Sequence, residues 1–332
     1  MPPTFSIVLP TLRPKLLALT LHSIHRNSVG HDYEVVVVSP FDASGDRVRW
    51  SPERIVGGPI AAHAQGVGDS RGDILITMTD DTIALPGWLD TIEQRIATGE
   101  RTWVPFCLGL NRINSPAVGT VFGRYYAYFP IMSRRSVDAL GGMYGGMYDT
   151  AYRGNWADPD LGLRIWASGG RVEFCAEART MASTLQRYFP EAEHKNTRPQ
   201  VRFEMFFERW GHLAGDTFSR RLVDVNRNFP LSVLRNNTVY VEQVKLPRSF
   251  IERAAREWHW QYLRVISRLW REWNRVRLRN YDSSYLDDWT PEQMYLHEIR
   301  RASRSLIGRF GRGGYVSRAS VGSLVQEVPF TQ

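Results

Sequence analysis

Along the N-terminal part of the chain, apolar residues fall in short unbroken runs separated by segments of helical spacing. Phe5-Ser-Ile-Val-Leu-Pro10 is such a run, closed by proline, and predicts a buried strand. From Pro14 to Asn27 the apolar positions Leu17, Leu21 and Ile24 recur at helical intervals. Tyr33 to Val38 is β-branched and uninterrupted, as expected for an inner strand of a parallel sheet covered on both faces. Arg54 to Val56 is expected as another short strand and Ala61 to Gly68 as a helix of small residues. Ile74 to Met78 is a further apolar strand that runs straight into Asp80 and Asp81. Strand and helix alternate, so the pattern predicts an α/β domain with a mostly parallel sheet.

That order sets Pro10-Thr11, Ser39 and Asp80-Asp81 at the carboxyl ends of successive strands, the edge where open α/β sheets bind ligands. Two carboxylates just past a buried strand are costly unless they hold a cation or a partner. The plainer alternative is a helix cap or a solvated turn ahead of Pro86. Further on, the Gly- and Tyr-rich stretch from Gly141 to Trp156 reads as a loop. A helix is expected over Asp158 to Ser168 with Leu161, Ile165 and Trp166 inward, ended by Gly169-Gly170, and a strand over Arg171 to Cys175. Past Gly211 the character changes. Ser249 to Asn280 predicts a long helix with Trp258, Tyr262, Val265, Ile266, Leu269, Trp273 and Val276 along one face and arginines over much of the rest. That apolar face is expected to pack on the preceding domain. A second basic stretch, Arg300 to Arg318, contains no acid.

With 332 residues and 43% hydrophobic content, the chain can bury one large domain and an appendage. The expected division is a first domain over residues 1–213 and a helical, arginine-rich extension over 214–332. No run approaches the roughly 20 apolar residues of a membrane span, and no basic-then-apolar leader is read at the start. The two cysteines, Cys107 and Cys175, exclude a disulfide framework or a cysteine-rich zinc site and fit a reducing, cytoplasmic setting. The net charge of +8 is almost wholly arginine, since lysine occurs only at Lys15, Lys195 and Lys245. Such an excess of base points to an anionic partner: nucleic acid, anionic lipid or nucleotide.

Four blocks together resemble the family 2 glycosyltransferases of GT-A fold, in that family's order. They are Ser6-Ile-Val-Leu-Pro-Thr-Leu-Arg13-Pro; Gly72-Asp-Ile-Leu-Ile-Thr-Met-Thr-Asp80-Asp81 followed by Pro86-Gly-Trp-Leu; Leu140-Gly-Gly-Met with Trp156-Ala-Asp158-Pro-Asp160-Leu-Gly-Leu-Arg164 through Gly169-Gly-Arg-Val; and Arg202-Phe-Glu-Met-Phe-Phe-Glu-Arg-Trp210-Gly211. They span about residues 5 to 213, which the resemblance makes the catalytic domain.

The resemblance implies transfer of a sugar from a nucleotide-diphospho-sugar to an acceptor hydroxyl, with Mn2+ or Mg2+ as cofactor. Charge builds on the departing diphosphate, and a divalent cation held by carboxylate oxygen neutralises it without a proton donor. Asp81 is then the direct metal ligand, and Asp80 supports the metal or the sugar. His194 stands where some relatives place a metal or phosphate contact, the alternative being a surface histidine. Pro10, Thr11 and Arg13 of the first block, with Ser39, Asp42, His63 and Arg164, complete the expected nucleotide-sugar site. Asp158 stands where the family has its general base, which implies a single displacement with inversion. Its plainer role is an N-cap for a helix beginning at Pro159. The sequence departs from the family at three places. Ser39 replaces the aspartate that usually reads the nucleotide base, with Asp42 close by; His63-Ala64 replaces an Arg-Asn pair; and Thr79 opens the acidic motif.

For the acceptor, the two basic segments favour a 5-hydroxymethylated pyrimidine in DNA, as in phage-type hypermodification enzymes that the chain resembles. A base would have to leave the stack to reach Asp158. Tyr125, Tyr126, Tyr128, Tyr144, Tyr148 and Tyr152 are candidates to stack on it, with core packing as the alternative. A second acceptor class is a surface polysaccharide or lipid-linked glycan, with the Trp- and Arg-rich helix on an anionic membrane surface. A third reading, from Thr79 and Ser39, is a non-catalytic sugar- or nucleic-acid-binding protein on a decayed transferase fold.

Overall fold

The computed structural model describes residues 4–54, 57–113, 118–121, 124–140, 147–152, 156–189, 203–211, 224–225, 238–239 and 286–310, and the single positions 258, 265 and 269. His194, Tyr144 and nearly all of Ser249 to Asn280 lie outside them.

The chain opens with β1 (Phe5–Pro10), α1 (Pro14–Asn27), β2 (Tyr33–Ser39), β3 (Val48–Pro52), α2 (Pro59–Asp69) and β4 (Ile74–Thr77). All four strands are parallel, and β1 pairs with both β2 and β4, so the order across the sheet is β3-β2-β1-β4. The chain winds outward from β1 to β3 and then returns to the other side of β1. This makes the gap between the carboxyl ends of β1 and β4 a topological switch point, where an open sheet leaves a crevice. The third strand of the sheet is Val48–Pro52, which pairs along Val35 to Ser39, and the short strand expected at Arg54 to Val56 lies largely outside the described residues; Arg54 itself reaches Asp69 at 2.9 Å.

Next come β5 (Thr82–Ala84), α3 (Trp88–Glu100), β6 (Phe106–Arg112), β7 (Val118–Val121), β8 (Arg124–Ala127), β9 (Pro130–Ser133) and α4 (Arg134–Ala139). They are followed by α5 (Ala157–Ala167), β10 (Arg171–Ala182), a 3-10 turn (Leu185–Arg187) and α6 (Phe203–Trp210). Strand β9 inserts antiparallel between β4 and β6, and β6 pairs parallel with β10. Beyond residue 213 the described elements are β11 (Asp224–Val225), β12 (Thr238–Val239) and α7 (Pro291–Phe310). Strand β12 joins the main sheet at β10, and β11 joins β7 and β8 in a small antiparallel sheet. Among the described residues the main sheet has nine strands, and its core is the parallel set. The α/β architecture and mostly parallel sheet expected from the pattern are present.

The unbroken apolar runs are explained by cover on both faces. Along β1 and β4, Phe5, Ile7, Leu9, Ile74 and Ile76 join one apolar cluster, which includes Leu17 and Ile24 of α1 and Trp88 and Ile92 of α3. The alternate residues Val8 and Leu75 join a second cluster with Ile60 and Val67 of α2 and Leu161 and Ile165 of α5. Helix α2 lies so close to the sheet that a Cβ on Gly66 would sit 2.4 Å from Val8 Cγ1. A third cluster joins Leu16 and Leu19 of α1 to Met294, Tyr295 and Ile299 of α7.

The apolar stripe expected to pack on the domain does not do so where it is described. Trp258, Val265 and Leu269 are 78%, 55% and 63% exposed. No helix among the described residues is long and apolar enough to cross a membrane.

Candidate functional site

The switch point opens into a cavity of about 470 Å3. Pro10 to Arg13 line it from the end of β1, Val38 from β2, Glu53 from beyond β3, and Thr79, Asp80 and Asp81 from beyond β4. Gly58, Pro59, Ala62 and His63 of the α2 entry form a further wall, with Arg112 and Phe129 closing it. Pro10, Thr11, Arg13, His63, Asp80 and Asp81 are thus brought together as the sequence suggested.

Each carboxylate of the pair is held by an arginine. Asp80, 4% exposed, accepts from Thr11 Oγ1 at 2.6 Å and from both Arg13 Nε (3.0 Å) and Arg13 Nη2. Arg13 can reach it because Pro14, at the first position of α1, starts the helix just past the strand end. Asp81 accepts from Thr79 Oγ1 and pairs with Arg112 Nη2 at 3.1 Å. The backbone is pinned as well: Thr20 Oγ1 donates to the Asp80 carbonyl and Ser183 N–H to the Asp81 carbonyl, each at 2.6 Å. Neither residue is a helix cap or a solvated turn. Arg112, 9% exposed, also stacks over Phe129 at 4.7 Å.

Among the described residues no group of three or more His, Cys, Asp or Glu side chains is arranged to hold a metal ion. The pair Asp80–Asp81 therefore forms no cage. One or two carboxylate oxygens at a cavity wall do fit a hard divalent cation that keeps waters and takes phosphate oxygens from a ligand. Asp81 is the better placed, with a side chain 13% exposed against 5% for Asp80, which Arg13 and Thr11 saturate.

Asp158 lies behind this cavity rather than on its described wall. Trp156, at φ 83°, turns the chain into α5 one residue earlier than expected, so Asp158 sits inside the first turn and makes no cap bond. It is half-buried and lies near the Tyr148 hydroxyl. Desolvation pushes its pKa up to about 7, and the nearby Tyr148 hydroxyl partly offsets the rise. The Tyr148 ring lies 5.7 Å from that of His63 on the cavity wall. His63 is 7% exposed, its Nδ1 has no hydrogen-bond partner, and burial lowers its pKa to about 4, so it is neutral at physiological pH.

The other expected residues sit elsewhere. Ser39 is fully buried with Oγ donating to the Phe41 carbonyl, and its neighbour Val38 faces the cavity. Asp42 is exposed and accepts from the Ser44 N–H at 2.9 Å. Arg164 is not a cavity residue: it pairs with Asp160 at 2.9 Å and donates to the Met147 carbonyl at 2.8 Å. Asp160, 0% exposed, also accepts from Arg209 and Trp210 of α6 and from Tyr152, so it knits the closing block to α5. Tyr125, Tyr126, Tyr148 and Tyr152 are core residues, each at most 2% exposed. Arg112, Glu53 and Phe129 were not singled out in the sequence. Only a carboxylate in need of a partner signalled that an arginine must exist; nothing in the spacing said which.

A switch-point cavity edged by carboxylates and arginines offers charged groups at the place where open α/β sheets take small ligands. No protein-family model matches the sequence, and no curated protein does. Solved structures it resembles include S. aureus TarS 1–349 in complex with UDP-GlcNAc, at 14% identity over 64% of this chain and 65% of that one, TM-score 0.42. S. aureus TarS is similar at 13% identity over 56% of this chain and 38% of that one, TM-score 0.41. The mannosyltransferase PcManGT from Pyrobaculum calidifontis, in complex with GDP-Man and Mn2+, is similar at 15% identity over 57% of this chain and 59% of that one, TM-score 0.42. The chain spans less than two thirds of the length of each of these. The functional reading therefore rests on the site.

Proposed function

We propose that the chain is an inverting glycosyltransferase of GT-A type, taking a sugar from a nucleoside diphospho-sugar. The observation that carries this is the pairing of Asp80 and Asp81 at the switch-point cavity with a second, separately housed carboxylate, Asp158, whose pKa of about 7 suits a base. The ligand's diphosphate lies against the carboxyl ends of β1 and β4, where Arg13 and Arg112 orient it. Asp81, with Asp80 behind it, would hold Mn2+ or Mg2+, which when bound neutralises charge on the leaving diphosphate. Glu53 and Val38 edge the nucleoside end. Asp158 takes the proton of the acceptor hydroxyl, and neutral His63 donates or accepts a hydrogen bond without adding charge.

The test is hydrolysis of a panel of UDP-, GDP- and dTDP-sugars with and without Mn2+. Metal-dependent release of nucleoside diphosphate is expected, reduced at least about 100-fold in Asp81→Ala. No turnover with any donor would favour the decayed-fold reading instead.

For the acceptor, we infer a 5-hydroxymethylated pyrimidine in DNA, on the strength of the arginine excess alone. The buried tyrosines lend it no stacking surface. Mass analysis of nucleosides digested from treated DNA is expected to show an added hexose or pentose. The exposed Trp258, Val265 and Leu269 on an arginine-rich segment favour a second reading, a lipid-linked or surface glycan acceptor at an anionic membrane. Gain of sugar mass only on a lipid or oligosaccharide would select it.

A further inference from the structure

The last residues of β10 lie between the two halves of the Asp81–Arg112 pair. On one side β10 runs antiparallel to β5, with Ala182 opposite Thr82, and the Ser183 N–H extends that ladder by one bond to the Asp81 carbonyl. On the other side it pairs with β6, with Thr180 opposite Arg112. There the Thr180 carbonyl accepts from Ile113 N–H at 2.9 Å, and its hydroxyl donates to the Asn111 carbonyl at 3.0 Å. The separation of Asp81 from Arg112 therefore depends on where this strand end sits. The ladder below does not fix it alone, because the register of β10 on β6 shifts between Cys175 and Arg179.

The remaining hold comes from α7. The 3-10 turn that follows β10 has no side-chain cap of its own at Thr184. Glu298 supplies one from 114 residues away, its Oε1 accepting from the Thr184 and Leu185 N–H groups and from the Ser183 and Thr184 hydroxyls. Docking α7 needs only apolar burial, which Met294, Tyr295 and Ile299 provide. A carboxylate beside that cluster is costly to desolvate and adds direction rather than area. We propose that Glu298 is a positioning residue of the donor site: from the C-terminal helix it fixes the end of β10, and through it the placement of Asp81 against Arg112. This rests on reading Asp81 as the metal ligand. A main chain pinned at its carbonyl gives the Asp81 carboxylate a fixed origin, which a metal ligand needs.

Two readouts separate positioning from docking. The first needs no ligand: amide hydrogen exchange at Ser183 relative to Met78, whose N–H bonds to the Val8 carbonyl in the central sheet. Glu298→Ala is expected to speed Ser183 at least about tenfold against Met78, because the strand end opens without the core. The second is Mn2+ binding, with the metal alone as probe, followed by electron paramagnetic resonance. Its dissociation constant is expected to rise about tenfold, the lower end of what loss of a group supporting a metal ligand costs. Glu298→Gln keeps an acceptor oxygen and is expected to recover most of both. Met294→Ala, a core truncation on the same helix, is expected to lower the urea midpoint comparably and leave both readouts unchanged. Ser183→Ala removes the hydroxyl between Glu298 and the turn, and a smaller change of the same sign is expected; it covers the case in which Glu298→Ala does not fold. An unmoved Ser183 ratio overturns the proposal. So does a raised ratio with unchanged Mn2+ affinity, or an equal effect from Met294→Ala, either of which makes Glu298 a docking residue only. Mn2+ binding that survives Asp81→Ala overturns the metal-ligand reading itself, whatever Glu298 does to the exchange.

Discussion

Asp158 and His63 are ionisable side chains whose burial opposes charge, and they tie stability to pH in opposite senses. The folded-state pKa of Asp158, about 7, is raised, so its contribution is fully present below the ordinary aspartate pKa and is lost as pH rises through about 7. That of His63, about 4, is depressed, so its contribution is present above the ordinary histidine pKa and is lost as pH falls toward 4. Asp158→Asn is therefore expected to raise the melting temperature at pH 8 by roughly 2–4 °C for each kcal/mol of relieved desolvation, and to leave it unchanged near pH 4. Scanning calorimetry at both pH values checks this. A gain at pH 4 equal to that at pH 8 would show that the side chain is not titrating as described. At this scale the sequence was legible where a motif stood at a strand end, as at Thr11, Arg13, Asp80 and Asp81. It was not legible where a partner comes from afar: nothing local marks Arg112 as the counter-ion of Asp81, or Tyr148 as the neighbour of Asp158. Ser39 does not line the cavity because its Oγ is turned to the Phe41 carbonyl, whereas the buried Val38 beside it does.

Among the elements, α7 shows how the C-terminal part reaches the site. Glu298, 2% exposed, accepts through Oε1 from Ser183 Oγ, Thr184 N–H, Thr184 Oγ1 and Leu185 N–H at 2.7 to 3.0 Å. Ser183 in turn holds the Asp81 carbonyl. Glu298→Ala would leave several buried donors unmet and is expected to cost about 3 kcal/mol or more, read as a lowered urea midpoint. Unchanged stability would mean that α7 is not docked through this residue. Close packing makes a second prediction: a Cβ on Gly162 of α5 would lie 2.5 Å from Tyr126 Cβ, so Gly162→Ala is expected to destabilise by about 1–3 kcal/mol in the same assay. Elements β1, α1, β2, α2 and β4 were readable because each is an unbroken apolar run or a clean helical period. Strand β3 was not, since Val48–Pro52 is an edge strand with Arg49 and Trp50 turned partly outward. Strand β6 carries glycine, asparagine and arginine among its apolar residues, and its pairing is set by β9 and β10 rather than by local pattern.

For the whole molecule, the net charge of +8 is the feature that looks outward. If DNA is the acceptor, binding to duplex is expected to weaken by at least about tenfold between 50 and 200 mM salt, as follows from releasing counterions at only two or so phosphates. A salt-independent affinity would remove the main support for that acceptor. The central claim concerns the other anion, the nucleoside diphosphate. It is tested most directly by anomalous diffraction from crystals grown with Mn2+ and a nucleoside diphosphate. The account predicts a manganese peak at bonding distance from the Asp81 carboxylate, with the diphosphate between Arg13 and Arg112 and the nucleoside running toward Val38 and Glu53. Nucleotide bound elsewhere, or a cavity that stays empty at saturating ligand, would contradict it.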